Sequence, residues 1–202
     1  RAFLNLDVCG YNYALWEYEN DHRIFPERII FGSESTAQDA SMNWDLVEKH
    51  PYVIGDFIWT AMDYLGEAGI AHAEYLKSSE KDTTFFMPWP WFNAWCGDID
   101  LCGNKKPQGL YRDVIWGESL IEILVHRPVP PGYAEKISYW GWPNEVPSWN
   151  WEGLESESMS VRVFSRSPEV RLYLNGQLVG EQKTQTEGQW KYTTEFKVNY
   201  TP

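Results

Sequence analysis

Arg28-Ile-Ile-Phe-Gly-Ser-Glu34-Ser-Thr-Ala-Gln-Asp-Ala-Ser-Met-Asn-Trp44 is the stretch from which the fold is read. Arg28 to Phe31 is a short apolar run rich in β-branched residues, the pattern of a strand buried on both faces. Glu34 stands where that strand ends, and a helix is predicted immediately after it. Thr36 is a good N-cap with Asp39 three residues on, and Ala37, Ala40, Trp44 and Val47 mark one helical face. The helix stops at His50-Pro51, because proline disfavours the α conformation in the residue before it. A carboxylate at the C-terminal end of a buried parallel strand stands where α/β barrels keep their chemistry. The same position also suits a capping or ion-paired carboxylate.

Upstream, Leu4 to Tyr11 alternates loosely as a strand ending at Gly10, with Asn12 and Tyr13 following it. Ala14 to His22 reads as a short helix closed before Pro26. Beyond Pro51, Tyr52 to Trp59 is a third buried strand that leads into Thr60-Ala-Met-Asp63-Tyr-Leu-Gly-Glu67. Strands alternating with helical stretches imply a parallel sheet of βαβ units. From Ala71 to Gly103 runs a long irregular insertion with a charged tip, Lys77 to Asp82, and an aromatic run, Phe85 to Trp95. A structureless loop of that length is usually a lid or a binding loop. Gln108 to Trp116 gives one more helix.

After Gly117 the pattern changes. Pro128-Val-Pro-Pro-Gly132 reads as a stiff connector. Ser158 to Ser165, Glu169 to Asn175 and Tyr192 to Tyr200 alternate apolar with polar, and Asn175-Gly176 is a hairpin turn. This region is expected to be a small immunoglobulin-like β-sandwich with few strands. The fold class is therefore α/β plus all-β, with residues 1–118 in the first part and 119–202 as linker and sandwich.

The 202 residues carry 17 basic against 29 acidic side chains, a net charge of -12, which disfavours nucleic acid or an anionic membrane as partner. No apolar run approaches the roughly 20 residues of a membrane helix. The start on Arg1 reads as a piece excised from something longer. Cys9, Cys96 and Cys102 are odd in number and lack metal-site spacing, so buried free thiols are expected and neither a metal nor a cofactor is. The twelve tryptophans lie mostly near glycines and prolines, as expected of walls around a sugar.

Several of these stretches, in the right order, resemble family 2 of the glycoside hydrolases, the β-galactosidase and β-glucuronidase family, in the form common among gut Bacteroidetes such as Bacteroides. Asp7 to Tyr13 resembles the end of the sixth strand of the family's TIM barrel, Phe31-Gly-Ser-Glu-Ser35 the seventh and Gly55 to Glu67 the eighth. Cys96 to Gln108 and Tyr111 to Trp116 resemble the approach to the last barrel helix. Trp140-Gly-Trp-Pro, Ser148 to Gly153 and Arg171 to Gly176 resemble the sandwich that follows.

The resemblance implies a retaining exo-β-glycosidase, most simply a β-galactosidase, with Glu34 as the nucleophile that forms a glycosyl-enzyme. Tyr13 matches the tyrosine that hydrogen-bonds this nucleophile, and such a donor favours a carboxylate's charged form. Asn12 matches a neighbouring polar contact, and Trp59 the tryptophan under the non-reducing-end sugar; both aromatics also suit an ordinary core. The partner is a carbohydrate, and a periplasmic or secreted location follows from the resemblance alone. Retaining enzymes need a second carboxyl about 5–5.5 Å from the first. The family's acid/base glutamate follows an asparagine at the end of the fourth strand, and Asn144-Glu145, the chain's sole Asn-Glu pair, falls in the wrong place. The isolated chain is therefore expected to be inactive.

Asn104-Lys105-Lys106 has the Asn-x-Lys form that β-glucuronidases of the family use to hold the sugar carboxylate, although Lys106-Pro107 also reads as a helix start. β-Mannosidase remains an alternative, as does a non-catalytic carbohydrate-binding module. Asp63 and Glu67 are expected to brace loops, Asp98 and Asp100 to bond within turns, and the four histidines are unassigned.

Overall fold

The computed structural model describes residues 3–80, 86–87 and 89–202, a mixed architecture of many strands and few helices. Lys81, Asp82, Phe85 and Pro88, from the expected charged tip and aromatic run, lie outside the described residues.

Three parallel strands form the first sheet: β1 (Val8–Asn12), β2 (Ile29–Ser35) and β3 (Val53–Ile58), with β2 in the middle. The register runs from Val8 opposite Ile29 to Asn12 opposite Glu34, with a slip between Tyr11 and Asn12. That slip sets Asn12 and Glu34 side by side at the strands' C-terminal ends. The first strand begins at Val8 rather than Leu4, because Leu6 N–H closes a turn on the Phe3 carbonyl, 3.2 Å. Between β1 and β2 the expected helix is a 3₁₀ turn, Leu15–Glu17, running into α1 (Tyr18–Ile24). Between β2 and β3, α2 (Ala40–Lys49) is preceded by another 3₁₀ turn, Ala37–Asp39, capped by Thr36, whose hydroxyl accepts from Asp39 N–H. It ends at His50, in extended backbone before Pro51.

Cys9, Tyr11, Tyr18, Ile30 and Val53 form the core beneath this sheet. The opposite face departs from the expected double burial: Ile29, Ile54 and Phe57 are 40%, 59% and 63% exposed, since no element among the described residues covers them. Alternation along β2 follows directly, because successive strand side chains point to opposite faces.

The insertion is not structureless. β4 (Tyr64–Leu65) pairs with β6 (Asn93–Ala94), and β5 (Ala73–Lys77) pairs with β8 (Tyr133–Ile137), which the Pro-rich connector leads into. Backbone bonds absent from any local pattern thus organise the loop from outside it. α3 (Pro107–Trp116) begins with Pro107 in its first turn and closes on Gly117 at φ +82°, the expected proline-in, glycine-out arrangement.

The remaining strands are β7 (Ile121–His126), β9 (Glu145–Val146), β10 (Ser158–Ser165), β11 (Glu169–Leu174), β12 (Gln177–Lys183) and β13 (Thr193–Asn199). They make a four-stranded sheet ordered β13-β10-β7-β9 and a β11-β12 hairpin turning at Asn175-Gly176. Val170 of the hairpin is buried with Val125, Met159, Val161, Val163, Phe196 and Val198 of the larger sheet, so the two sheets face each other across one core. A second core joins the two halves of the chain. Ala37 of the turn before α2, Ala40 of α2, Tyr111, Val114 and Ile115 of α3, Leu124, Phe164 and Trp142 pack together. Tyr111, Trp142, Phe164 and Trp190 form a ring cluster with centroids 4.8 to 6.3 Å apart, each such pair worth about 1 kcal/mol beyond its burial. Tyr111 Oη also donates to the Lys191 carbonyl, 2.7 Å, and Ser41 Oγ to that of Gly188, 2.9 Å.

Candidate active site

Glu34 lies near the end of the middle parallel strand, half-buried, with a donor on each carboxylate oxygen. Tyr13 Oη donates to Glu34 Oε1 at 2.5 Å, and Asn12 Nδ2 donates to Oε2 at 3.0 Å. The backbone explains the convergence. Asn12 is Glu34's register partner, while Tyr13 has φ +52° and its N–H bonds the Glu34 carbonyl at 2.8 Å. That left-handed residue turns the chain so that the phenol comes back over Glu34, a conformation rarely kept without tertiary support.

Each donor is itself oriented. Ser33 Oγ donates to Asn12 Oδ1 at 2.8 Å, which leaves the amide nitrogen facing Glu34. Trp140 Nε1 donates to Tyr13 Oη at 2.7 Å. Burial, reinforced by the bond to Glu34, pushes the Tyr13 phenol well above its ordinary value, so it remains a proton donor throughout the neutral range. Two acceptor oxygens thus face two fixed donors, which fixes the direction in which the carboxylate points.

Trp59 stands one strand over. Its N–H donates to the Ser35 carbonyl, 2.9 Å, and its ring meets Tyr64 edge-on at 6.0 Å, packed with Trp140 on the Ile70, Ala71, Ala94 and Cys96 core. The Trp59–Thr60 peptide is cis. Glu34, Tyr13 and Asn12 are therefore brought together directly, and Trp59 through backbone and packing. Trp140 and Ser33 also belong to this site, through their bonds to Tyr13 and Asn12. Trp140-Gly-Trp-Pro reads as part of the following sandwich, and nothing local signals that its first tryptophan returns to Tyr13.

A solved glycosyl hydrolase family 2 member from Bacteroides cellulosilyticus is 39% identical to the chain across 98% of its length, with a TM-score of 0.82. The chain belongs with the family 2 glycoside hydrolases. It spans about a quarter of the length of that structure, 25%. A second family 2 member from the same species is 36% identical over 98% of the chain and 23% of its own length, at a TM-score of 0.76. A protein of Formosa agariphila, named provisionally as a beta-glucuronidase, is 26% identical over 144 residues, 71% of this chain and 10% of that one. Residues 156–202 match the model of a domain of unknown function, DUF4982.

Asp63, Glu67, Asp98, Asp100 and Glu145 each have a partner within this family 2 segment. Asp63 accepts from Gly97 N–H, 2.8 Å, and from Lys106, and Glu67 accepts from Tyr64 Oη, so both brace loops as expected. Asp100 accepts from the N–H groups of Cys102 and Asn104 in a turn. Asp98 departs from expectation: it is buried and ion-paired to Arg112 at 2.6 Å, because α3 turns that guanidinium inward. Glu145 is buried, accepts from Trp142 Nε1 at 3.0 Å and pairs with Arg162 at 2.9 Å. All three cysteines are free, but Cys102 is exposed rather than buried. Among the described residues no group of three or more His, Cys, Asp or Glu side chains gathers as a metal site.

Lys106, the lysine of the Asn-x-Lys form, has every donor engaged within the chain. Its ammonium donates to Asp63 Oδ1 at 2.9 Å, Asp63 Oδ2 at 3.2 Å and the Trp95 carbonyl at 2.6 Å, and it lies 4.2 Å from the Trp95 ring centroid. Three acceptors occupy a group with three donors.

Proposed function

We propose that the chain is the nucleophile-bearing part of a retaining exo-β-glycosidase that hydrolyses terminal β-D-galactosides. Residues 1–118 are read as strands six to eight of a TIM barrel with the last helix, and 119–202 as linker and immunoglobulin-like sandwich. The observation that carries the reading is the Glu34 carboxylate with Tyr13 and Asn12 on its two oxygens, at the C-terminal end of a parallel strand. Glu34 attacks the anomeric carbon, the bond to the leaving group breaks, and water later releases the sugar from the glycosyl-enzyme. Tyr13 and Asn12 hold the carboxylate in its attacking geometry, and Trp59 offers a ring face to the sugar's C–H surface.

A neutral sugar is favoured over a glucuronide because Lys106, the lysine of the Asn-x-Lys form, is fully engaged by Asp63 and Trp95. The provisional naming of the Formosa agariphila relative favours β-glucuronidase as the second reading. Buried, ion-paired Glu145 is unsuited to act as the acid/base, so this chain by itself is expected to show no turnover.

The test is mechanism-based trapping on the longest natural protein that carries this sequence. Activated 2-deoxy-2-fluoro galactoside, glucuronide and mannoside are offered in turn, and the labelled peptide is mapped by mass spectrometry. A galactosyl adduct on Glu34 supports nucleophile, mechanism and sugar together. A glucuronyl or mannosyl adduct on Glu34 retains the mechanism and changes the sugar. A folded protein that binds sugar without labelling is the carbohydrate-binding module.

A further inference from the structure

We propose, resting on the reading of Glu34 as nucleophile, that Trp140 is a positioning residue of the reaction, fixing and polarising the Tyr13 hydroxyl so that its proton stays directed at Glu34. The chain of bonds is linear and short: Trp140 Nε1 to Tyr13 Oη at 2.7 Å, then Tyr13 Oη to Glu34 Oε1 at 2.5 Å. An indole N–H can only donate, so it takes a lone pair of the phenolic oxygen and leaves the single phenolic hydrogen for Glu34. Donation into that oxygen also strengthens the O–H as a donor, as linked hydrogen bonds do in a low-dielectric site. The bond from Trp140 acts on the phenol in the acidifying direction, opposite to burial.

The indole is held on several sides by elements outside the parallel sheet. Gln38 Nε2, four residues beyond Glu34, donates to the Gly141 carbonyl at 2.7 Å, and Ser138 N–H bonds the His72 carbonyl at 3.1 Å. Gly141 N–H bonds the Ser138 carbonyl at 2.8 Å, and a Cβ on Gly141 would lie 2.8 Å from Ile137 Cγ2 and 3.1 Å from the His72 carbonyl oxygen. Tyr139 lies edge-on to both Tyr13 and Trp140, at 5.7 and 5.0 Å. A segment beyond the last helix therefore completes the surroundings of a nucleophile on the second strand.

The step affected is breakdown of the glycosyl-enzyme. Water's oxygen bonds the anomeric carbon, its proton passes to the family's acid/base carboxylate, and the C–O bond to Glu34 breaks with its electron pair returning to the carboxylate. The Tyr13 hydroxyl stabilises that returning charge, and Trp140 strengthens the hydroxyl.

The experiment uses the longest natural protein carrying this sequence, with variants Trp140→Phe, Tyr13→Phe and the double variant, on a 2,4-dinitrophenyl glycoside of the sugar that labels the wild type. Trp140→Phe is expected to lower kcat on the order of fivefold. KM falls in parallel as the intermediate accumulates, and the 2-fluoro glycosyl-enzyme lives longer. In the Tyr13→Phe background the same substitution should add less than about twofold, since its route of action is gone. Equal effects in both backgrounds would overturn the proposal and leave Trp140 a packing residue. Should Trp140→Phe fail to fold, 3-benzothienylalanine at position 140 deletes only the N–H, and unchanged kinetics there would overturn it equally. Absence of any label on wild-type Glu34 removes the nucleophile reading itself, a result separate from the variants.

Discussion

Lys106 Nζ lies 2.9 Å from Asp63 Oδ1 with both side chains almost wholly out of water, 8% and 0% exposed. Burial pushes the Asp63 carboxyl up and the Lys106 ammonium down, against the pairing that restores each. Such a pair is costly to break singly and cheap to replace whole, because a lone buried charge has nothing to offset its lost hydration. Asp63→Ala should therefore cost about 3–5 kcal/mol in urea unfolding. Asp63→Leu combined with Lys106→Met should recover most of that loss. Equal losses in the single and double variants would show that the pair is not what holds the Trp95 loop against α3.

Asp56 predicts a pH dependence. Its Oδ2 accepts from Ser35 Oγ at 2.9 Å, while Oδ1 is buried with no hydrogen-bond partner among the described residues, and burial raises the carboxyl to about 6. The folded state then holds a proton that the unfolded chain has lost above its ordinary value of 3.8. Between those values the unfolded state binds fewer protons, so stability falls as pH rises. Asp56→Asn should remove roughly 3 kcal/mol of that decline, read as a flatter dependence of the urea midpoint between pH 4 and 7. An unchanged slope would show that Asp56 ionises alike in both states.

Gly97→Ala should be severely destabilising. A Cβ there would lie 2.1 Å from Asp63 N, 2.4 Å from Met62 C and 2.6 Å from Ile99 O, all backbone atoms that cannot rotate away. The expected loss is more than about 3 kcal/mol, at the overpacking extreme. Thermal unfolding measures it, and a fall in Tm of only a degree or two would mean that the loop after Trp59 moves freely.

Trp59→Ala should raise KM for an aryl galactoside on the order of tenfold while leaving the Glu34 adduct in place, since stacking holds the sugar and not the reacting bond. A lost adduct with unchanged KM would assign Trp59 to the fold instead.

The strand and cap around Glu34 were legible because those parts are local, whereas Asn12 and Tyr13, 22 and 21 residues away, came from the family resemblance. A β-branched run, a carboxylate and an N-cap fall within nine residues, Arg28 to Thr36, and the register slip at Tyr11/Asn12 brings Asn12 and Tyr13 to it. The helix end at His50 and the start at Pro107 follow from proline chemistry, and the hairpin from Asn175-Gly176. What escaped is long-range. Trp140 reaches Tyr13 across 127 residues, and Gln38 reaches Gly141 across 103; neither leaves a periodicity. The pairing of β5 with β8 was hidden for the same reason, since the partner of 73–77 lies beyond β6, α3 and β7. Asp98 was misread because a carboxylate in a Gly-rich loop suits a turn as well as an inward-facing arginine one helix later.

Azide rescue distinguishes a nucleophilic Glu34 from a structural one. Glu34→Gly in the longest natural protein carrying this sequence removes the attacking carboxylate and leaves a space for a small anion. Hydrolysis of 2,4-dinitrophenyl β-galactoside should fall by roughly a thousandfold or more. Added azide should restore turnover, with α-galactosyl azide, the inverted product, as the species formed. Wild-type rates in the glycine variant, or a product of unchanged anomeric configuration, would contradict Glu34 as the nucleophile.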